Sequence, residues 1–274
     1  MKLMTFSIGE RVRIGEVVGD TVYALAWADT MRQMVRRGLI ASRAYERFPV
    51  DQVTVHAPLM PGKIVAIGLN YADHARETGR EAPPRPLIFA KYPSAVIGKG
   101  TPITWKTAIT NQVDYEGELG VIIGRRAKDV PEADALNYVF GYTIANDVSA
   151  RDLQHGTDSQ WTRGKSLDTF CPLGPMLVTR DEVENPQALG ITTRVNGEVM
   201  QQGTTADMIF SVAHLIAYCS ANFTLEPGDL ILTGTPAGVG AARDPQRFLN
   251  DGDTVSITID GLGELVNPCR RIDG

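Results

Sequence analysis

The chain has 274 residues, 43% of them hydrophobic and 22% charged, with a formal net charge of -5. That length supports one large domain, or a domain with a small appendage, around a substantial core. An acidic chain with no basic stripe and no run of like charges is a poor partner for nucleic acid, and no apolar stretch approaches the ~20 residues of a membrane helix.

Residues 1–26 read as short antiparallel strands: Val12 and Ile14, then Val22, Tyr23 and Leu25, are punctuated by Gly15 and Gly19-Asp20. This start carries charge early and lacks the apolar run and cleavage site of a leader. Residues 29–38 read as a short helix with Met31, Met34 and Val35 at helical spacing. The polar, proline-containing stretch 48–61 marks a boundary, giving a small β-rich module over 1–58 and a main body over 59–274. The body opens on a buried strand at 63–68, and Asn70 is placed to cap a short helix ending near Gly79. Three prolines in 81–86 exclude helix and central strand, and a short helix beside such a segment suits a mobile lid, with a plain surface connection as the alternative. Strands follow at 87–91, 118–123 and 139–148, with a helical turn around 132–136. An Asn196-Gly197 hairpin signal divides 191–201. Residues 207–222 form the strongest helix, with Met208, Ile209, Val212, Leu215, Ile216 and Cys219 on its apolar face. Strands at 230–235 and 254–259 follow. The expected class is α+β, predominantly β, without the alternation of a doubly wound sheet. Cys171, Cys219 and Cys269 are widely spaced and odd in number, which argues against a disulfide framework or a cysteine zinc site and makes a reducing cytoplasm the expected compartment.

Chemistry concentrates in residues 111–125. Glu116 and Glu118 stand two apart, and on a strand such residues project the same way. Paired carboxylates repel unless a proton or cation lies between them, and oxygen ligands suit Mg²⁺, Mn²⁺ or Ca²⁺ better than zinc or copper. Two solvated glutamates on a strand edge are the alternative. Asp147 is a candidate third oxygen ligand, or the cap of a helix starting near Ser149. Beside a cation, Lys165 could polarise a carbonyl or protonate a carbanion. His74 and Glu77 stand at i and i+3, where a carboxylate on one imidazole nitrogen strengthens the other as a base, and a surface helix pair is the alternative. Thr233-Gly-Thr-Pro-Ala-Gly-Val-Gly240 lacks the Lys-Ser/Thr of a P-loop. Its amides and Thr235 suit a small carboxylate, and a tight turn is the alternative.

Five ordered motifs carry a resemblance to the fumarylacetoacetate hydrolase family over residues 63–268. They are Gly68-Leu-Asn-Tyr-Ala-Asp-His74, Asp114-Tyr-Glu-Gly-Glu-Leu119, Asn146-Asp-Val-Ser-Ala-Arg-Asp152, Arg163-Gly-Lys-Ser166 and Leu232-Thr-Gly-Thr-Pro-Ala-Gly238. The resemblance implies a mixed β-roll, often preceded by a small module, usually assembled as a homodimer with a divalent metal at one mouth. It puts Glu116, Glu118 and Asp147 on Mg²⁺ or Mn²⁺, Lys165 beside the substrate and Thr235 at the substrate carboxylate. His74 and Glu77 match the lid dyad that activates water in acylpyruvate-cleaving members. Gln154 matches a substrate-contacting position, and Lys91 a pocket-lining one. The expected reaction is metal-dependent hydrolysis of a C–C bond in an acylpyruvate-type diketo acid. Decarboxylation of oxaloacetate and isomerisation of a hydroxymuconate-type diacid are the alternatives, since the family contains all three. A further basic contact for a distal carboxylate would favour those alternatives, and Arg76, Arg80 and Arg85 are its candidates. A non-catalytic, metal-dependent 2-oxo acid binder is the remote alternative.

Overall fold

The computed structural model describes residues 1–26, 30–38, 40–156 and 160–272. The alternating N-terminal residues form antiparallel strands Lys2–Ile8, Arg11–Val18 and Thr21–Leu25, extended by Arg43–Pro49. Met4, Phe6, Val22 and Ala24 are buried together between them. Helix Met31–Arg37 begins where Thr30 Oγ1 accepts the Gln33 N–H, and it ends at Gly38, whose φ of 62° suits a residue without Cβ. Asp29, the expected start, lies outside the described residues.

Lys2–Ile8 pairs with Cys171–Thr179, so among the described residues the N-terminal ribbon and the main body form one twelve-stranded sheet. From there the sheet runs through Val139–Asn146, Gly117–Ile123, Leu230–Leu232 and Ile64–Gly68 to Leu87–Lys91. Every residue of Gly117–Ile123 is buried, as the apolar run Leu119–Ile123 requires of a strand covered on both faces. Leu230–Leu232 runs parallel to Ile64–Gly68 and antiparallel to Gly117–Ile123, which makes the sheet mixed. A five-stranded sheet contains Gly190–Val195, Glu198–Thr204 and Thr254–Ile259, and shares one core with the large sheet through Leu119, Ile144, Ile191 and Ile257. Asn196 and Gly197 turn its hairpin at φ 53° and 85°, the left-handed conformations this dipeptide favours. The class is α+β and strand-rich, as expected.

The strands expected at 139–148 and 230–235 end earlier, at Asn146 and Leu232, and three expected helix starts differ because long-range contacts win over local pattern. The strongest helix spans Val212–Asn222 and starts at Ser211, whose Oγ accepts the His214 N–H. Residues 208–209 instead pair with 70–71: Ile209 N–H donates to the Asn70 carbonyl at 2.7 Å, and Met208 bridges Tyr71. Tyr71 occupies the cap position of helix Ala72–Glu77, while the Asn70 side chain reaches Phe210 and Thr233. Asp147 caps nothing. Ser149–Ala150 first pairs with Val113–Asp114, and the following helix is Arg151–Gln154. The three cysteines are buried and unpaired. Among the described residues no helix is long and apolar enough to cross a membrane.

Candidate metal centre and substrate pocket

Strand register builds the carboxylate cluster. Gly117 lies opposite Asn146, so Glu116 and Asp147 meet just beyond the paired ends, where Asp147 N–H donates to the Glu116 carbonyl at 2.9 Å. Glu118 follows two residues later, and one carboxylate oxygen from each of Glu116, Glu118 and Asp147 lies within 4.8 Å of the others. All three are buried. Helix Thr162–Lys165 brings the Lys165 ammonium to Glu116 Oε2 at 2.7 Å and Asp147 Oδ2 at 2.9 Å. Arg151 Nη2 stands 2.7 Å from Glu116 Oε1, and Lys91 Nζ 2.7 Å from Asp147 Oδ1.

These neighbours separate the two glutamates. Burial alone would raise the Glu116 carboxyl, but Lys165 and Arg151 more than offset it and hold that group below the usual carboxylate range. Burial, then the charges of Asp147 and Glu116, push Glu118 well up, against the Lys165 charge and the Gly234 N–H at 2.9 Å. Burial would lower Lys165, yet Asp147 and Glu116 raise it, so it stays cationic. Asp147 Oδ1 is buried with the Lys91 ammonium as its ion-pair partner. A hard divalent cation would relieve the repulsion that Asp147 and Glu116 exert on Glu118, and three carboxylate oxygens within 4.8 Å of one another are a donor set that fits Mg²⁺ or Mn²⁺.

A cavity of about 580 Å³ reaches Glu116, Glu118 and Lys165. His74 and Glu77 line it, with His74 Nδ1 2.7 Å from Glu77 Oε1, which leaves Nε2 for proton exchange. Gln154 also lines it and accepts from Arg151 Nη1 at 2.9 Å. Thr235 is on the wall, but its hydroxyl donates to the Gly117 carbonyl at 2.9 Å and accepts from Gln201 at 2.7 Å. A carboxylate brought to Thr235 would have to compete with Gly117 for that hydrogen. Lys91 does not line the cavity. Its buried ammonium lies behind Asp147 and donates to the carbonyls of Val148 and Lys165, because a cation this deep needs oxygen partners. Of the three candidate arginines, Arg80 lines the cavity and Arg76 and Arg85 do not.

Sequence reasoning assigned no role to Arg151, His155, Phe89 or Trp161, all of which line the cavity. Asp114 anchors Arg151, accepting its Nε at 2.8 Å along with the N–H groups of Gly240 and Ala241. Two buried glutamates in one motif demand cations, and that was the available signal for Arg151. Trp161 packs edge-on against Phe89, with ring centroids 5.4 Å apart, and Arg80 stands 6.0 Å from its ring. Its loop has no periodicity that could have announced it. Burial, then Arg151 and Arg80, lower His155 and favour its neutral form.

The family described as fumarylacetoacetate (FAA) hydrolase C-terminal matches residues 63–270. The chain is 48% identical over 224 residues to oxaloacetate tautomerase YisK of Bacillus subtilis, covering 80% of this chain and 74% of that protein. It superposes on the fumarylacetoacetate hydrolase of Exiguobacterium antarcticum with a TM-score of 0.92 and 39% identity, over 99% of this chain and 100% of that one. It also superposes on the 2-hydroxyhepta-2,4-diene-1,7-dioate isomerase of Mycobacterium marinum with a TM-score of 0.84 and 40% identity, over 99% and 98%. The five motifs all begin inside the matched span and the fold agrees along the whole chain, which makes this protein a member of the fumarylacetoacetate hydrolase family.

Proposed function

We propose that the protein is a divalent-cation-dependent isomerase that interconverts the keto and enol forms of a 2-oxo dicarboxylate of the oxaloacetate type. The observation that carries this reading is Arg80 on the wall of the cavity that reaches the carboxylate cluster. A dicarboxylate offers a second anion for a guanidinium to hold, and a monocarboxylic acylpyruvate does not. The tautomerase and dioate isomerase similar to this chain are named for dicarboxylic substrates.

A cation held by Glu116, Glu118 and Asp147 supplies Lewis-acid stabilisation of the oxygen charge that develops as a carbon-bound proton leaves. Glu77 holds His74 Nδ1, so Nε2 takes that proton from the carbon next to the 2-oxo group. Two of the three Lys165 donors go to Glu116 and Asp147, and the third is left for the substrate oxygen. Phe89 and Trp161 supply apolar wall that limits water around the exchanging proton.

Hydrolysis of an acylpyruvate C–C bond is the second reading, favoured by the 2.7 Å His74–Glu77 contact, since such a dyad also suits activation of water. The assembly proposed with either reaction is a homodimer, on the strength of the family resemblance. The compartment proposed is the cytoplasm, where three unpaired thiols stay reduced. Arg80→Gln tests the substrate class: the KM for oxaloacetate in the absorbance assay of enol decay is expected to rise about tenfold or more, with kcat changed far less. An unchanged KM would remove the support for a dicarboxylate.

A further inference from the structure

Helix Ala72–Glu77 has six residues, far fewer than the roughly 12–15 an isolated helix needs, so tertiary contacts decide where His74 stands. Its entry is tied down by Asn70, whose Nδ2 donates to the carbonyls of Phe210 at 3.0 Å and Thr233 at 2.8 Å. Its acidic side chains meet one loop. Asp73 Oδ2 accepts the Ala237 N–H at 3.2 Å, and Asp73 Oδ1 accepts the N–H of His74 itself at 2.7 Å. Glu77 Oε2 accepts the Gly238 N–H at 2.8 Å, while its other oxygen holds the imidazole.

The loop is a firm base for these bonds. Gly238 has φ 108°, and a Cβ there would lie 2.1 Å from the Met200 carbonyl oxygen. Tyr115 donates its hydroxyl to the Gly238 carbonyl at 3.1 Å. Four residues earlier, Gly234 N–H meets Glu118. One short loop thus touches the carboxylate cluster at one end and the His74 helix at the other.

We propose that Asp73 is a positioning residue: with Glu77 it clamps the helix to the Ala237 and Gly238 amides, and the clamp sets His74 relative to the carboxylate cluster. Asp73 does not line the cavity, so it acts through His74. Asp73 bridges two backbone N–H groups of different segments, a task that needs both carboxylate oxygens. Asparagine keeps one acceptor and alanine keeps none.

The clamp can be tested by amide hydrogen exchange on the full chain with Mg²⁺, comparing wild type, Asp73→Asn and Asp73→Ala. Exchange at His74 and Ala237 is expected to quicken about tenfold or more in Asp73→Ala, with Asp73→Asn between it and wild type. The turnover arm rests on the proposed tautomerase reaction: kcat is expected to fall about 10- to 100-fold while KM moves less than about threefold. Unchanged exchange in folded Asp73→Ala overturns the clamp, and faster exchange with unchanged kcat overturns the positioning role. If the alanine variant does not fold, the same comparisons on Asp73→Asn decide. If wild type shows no tautomerase activity, that reading fails, and the exchange arm alone decides the clamp.

Discussion

Glu116 and Glu118 are two residues apart, yet their surroundings drive their titrations in opposite directions. Glu116, held low by Lys165 and Arg151 against burial, contributes stability that is lost as pH falls through its folded value. Glu118 is raised by burial and two like charges, so the metal-free protein loses stability as pH climbs from the ordinary value of 4.5 towards the raised one. A divalent cation must displace that proton. Mg²⁺ binding is therefore expected to tighten with rising pH across this window and to release about one proton per site. Titration calorimetry in buffers of different ionisation heat measures the release, and its absence throughout the window would contradict the assignment of Glu118 as a ligand. The i, i+2 spacing made the glutamate pair legible in sequence. Their opposite titration was not legible, because it depends on Lys165 and Arg151, which other elements bring to the cluster.

At the scale of elements, Asn70 shows why local reading failed where it did. A short polar residue before a helix reads as a cap, and nothing nearby in sequence says that Phe210 and Thr233 will claim its side chain. The same pairing pulls Met208 and Ile209 out of the helix whose apolar spacing they continue, and the helix begins only after Ser211. Strands with strong alternation, and the Asn196-Gly197 hairpin, were legible because their determinants are local. Asn70→Ala would leave buried backbone groups without partners, and a loss of about 2–4 kcal/mol is expected in urea unfolding. A loss below about 0.5 kcal/mol would mean that the bonds at the entry to the His74 helix are replaceable.

At the scale of the whole molecule, the matched family span starts at residue 63, yet the sheet does not end there. Lys2–Ile8 covers the edge of Cys171–Thr179, and Leu3 joins the core cluster that also holds Leu173 and Leu177. The polar, proline-containing stretch 48–61 marks a small module over 1–58 in the sequence, but the strand that joins it to the main-body sheet is not legible there, because pairing across so long a sequence distance leaves no local pattern. Removing residues 1–58 uncovers a strand edge and apolar surface, and aggregation of the truncated chain is expected in size-exclusion chromatography. A soluble, cooperatively folding fragment would show that the ribbon is dispensable.

The carboxylate cluster, the His74–Glu77 pair and Arg80 are the groups on which the proposed proton transfer on a 2-oxo dicarboxylate depends. Proton NMR of freshly dissolved enol oxaloacetate and of acetylpyruvate, each with Mg²⁺ and protein, tests it most directly. The enol signal of oxaloacetate is expected to give way to the keto signal faster than in buffer, and acetylpyruvate is expected to stay intact. Decay of the enol at the buffer rate, with acetate and pyruvate accumulating from acetylpyruvate, would contradict it and establish C–C hydrolysis instead.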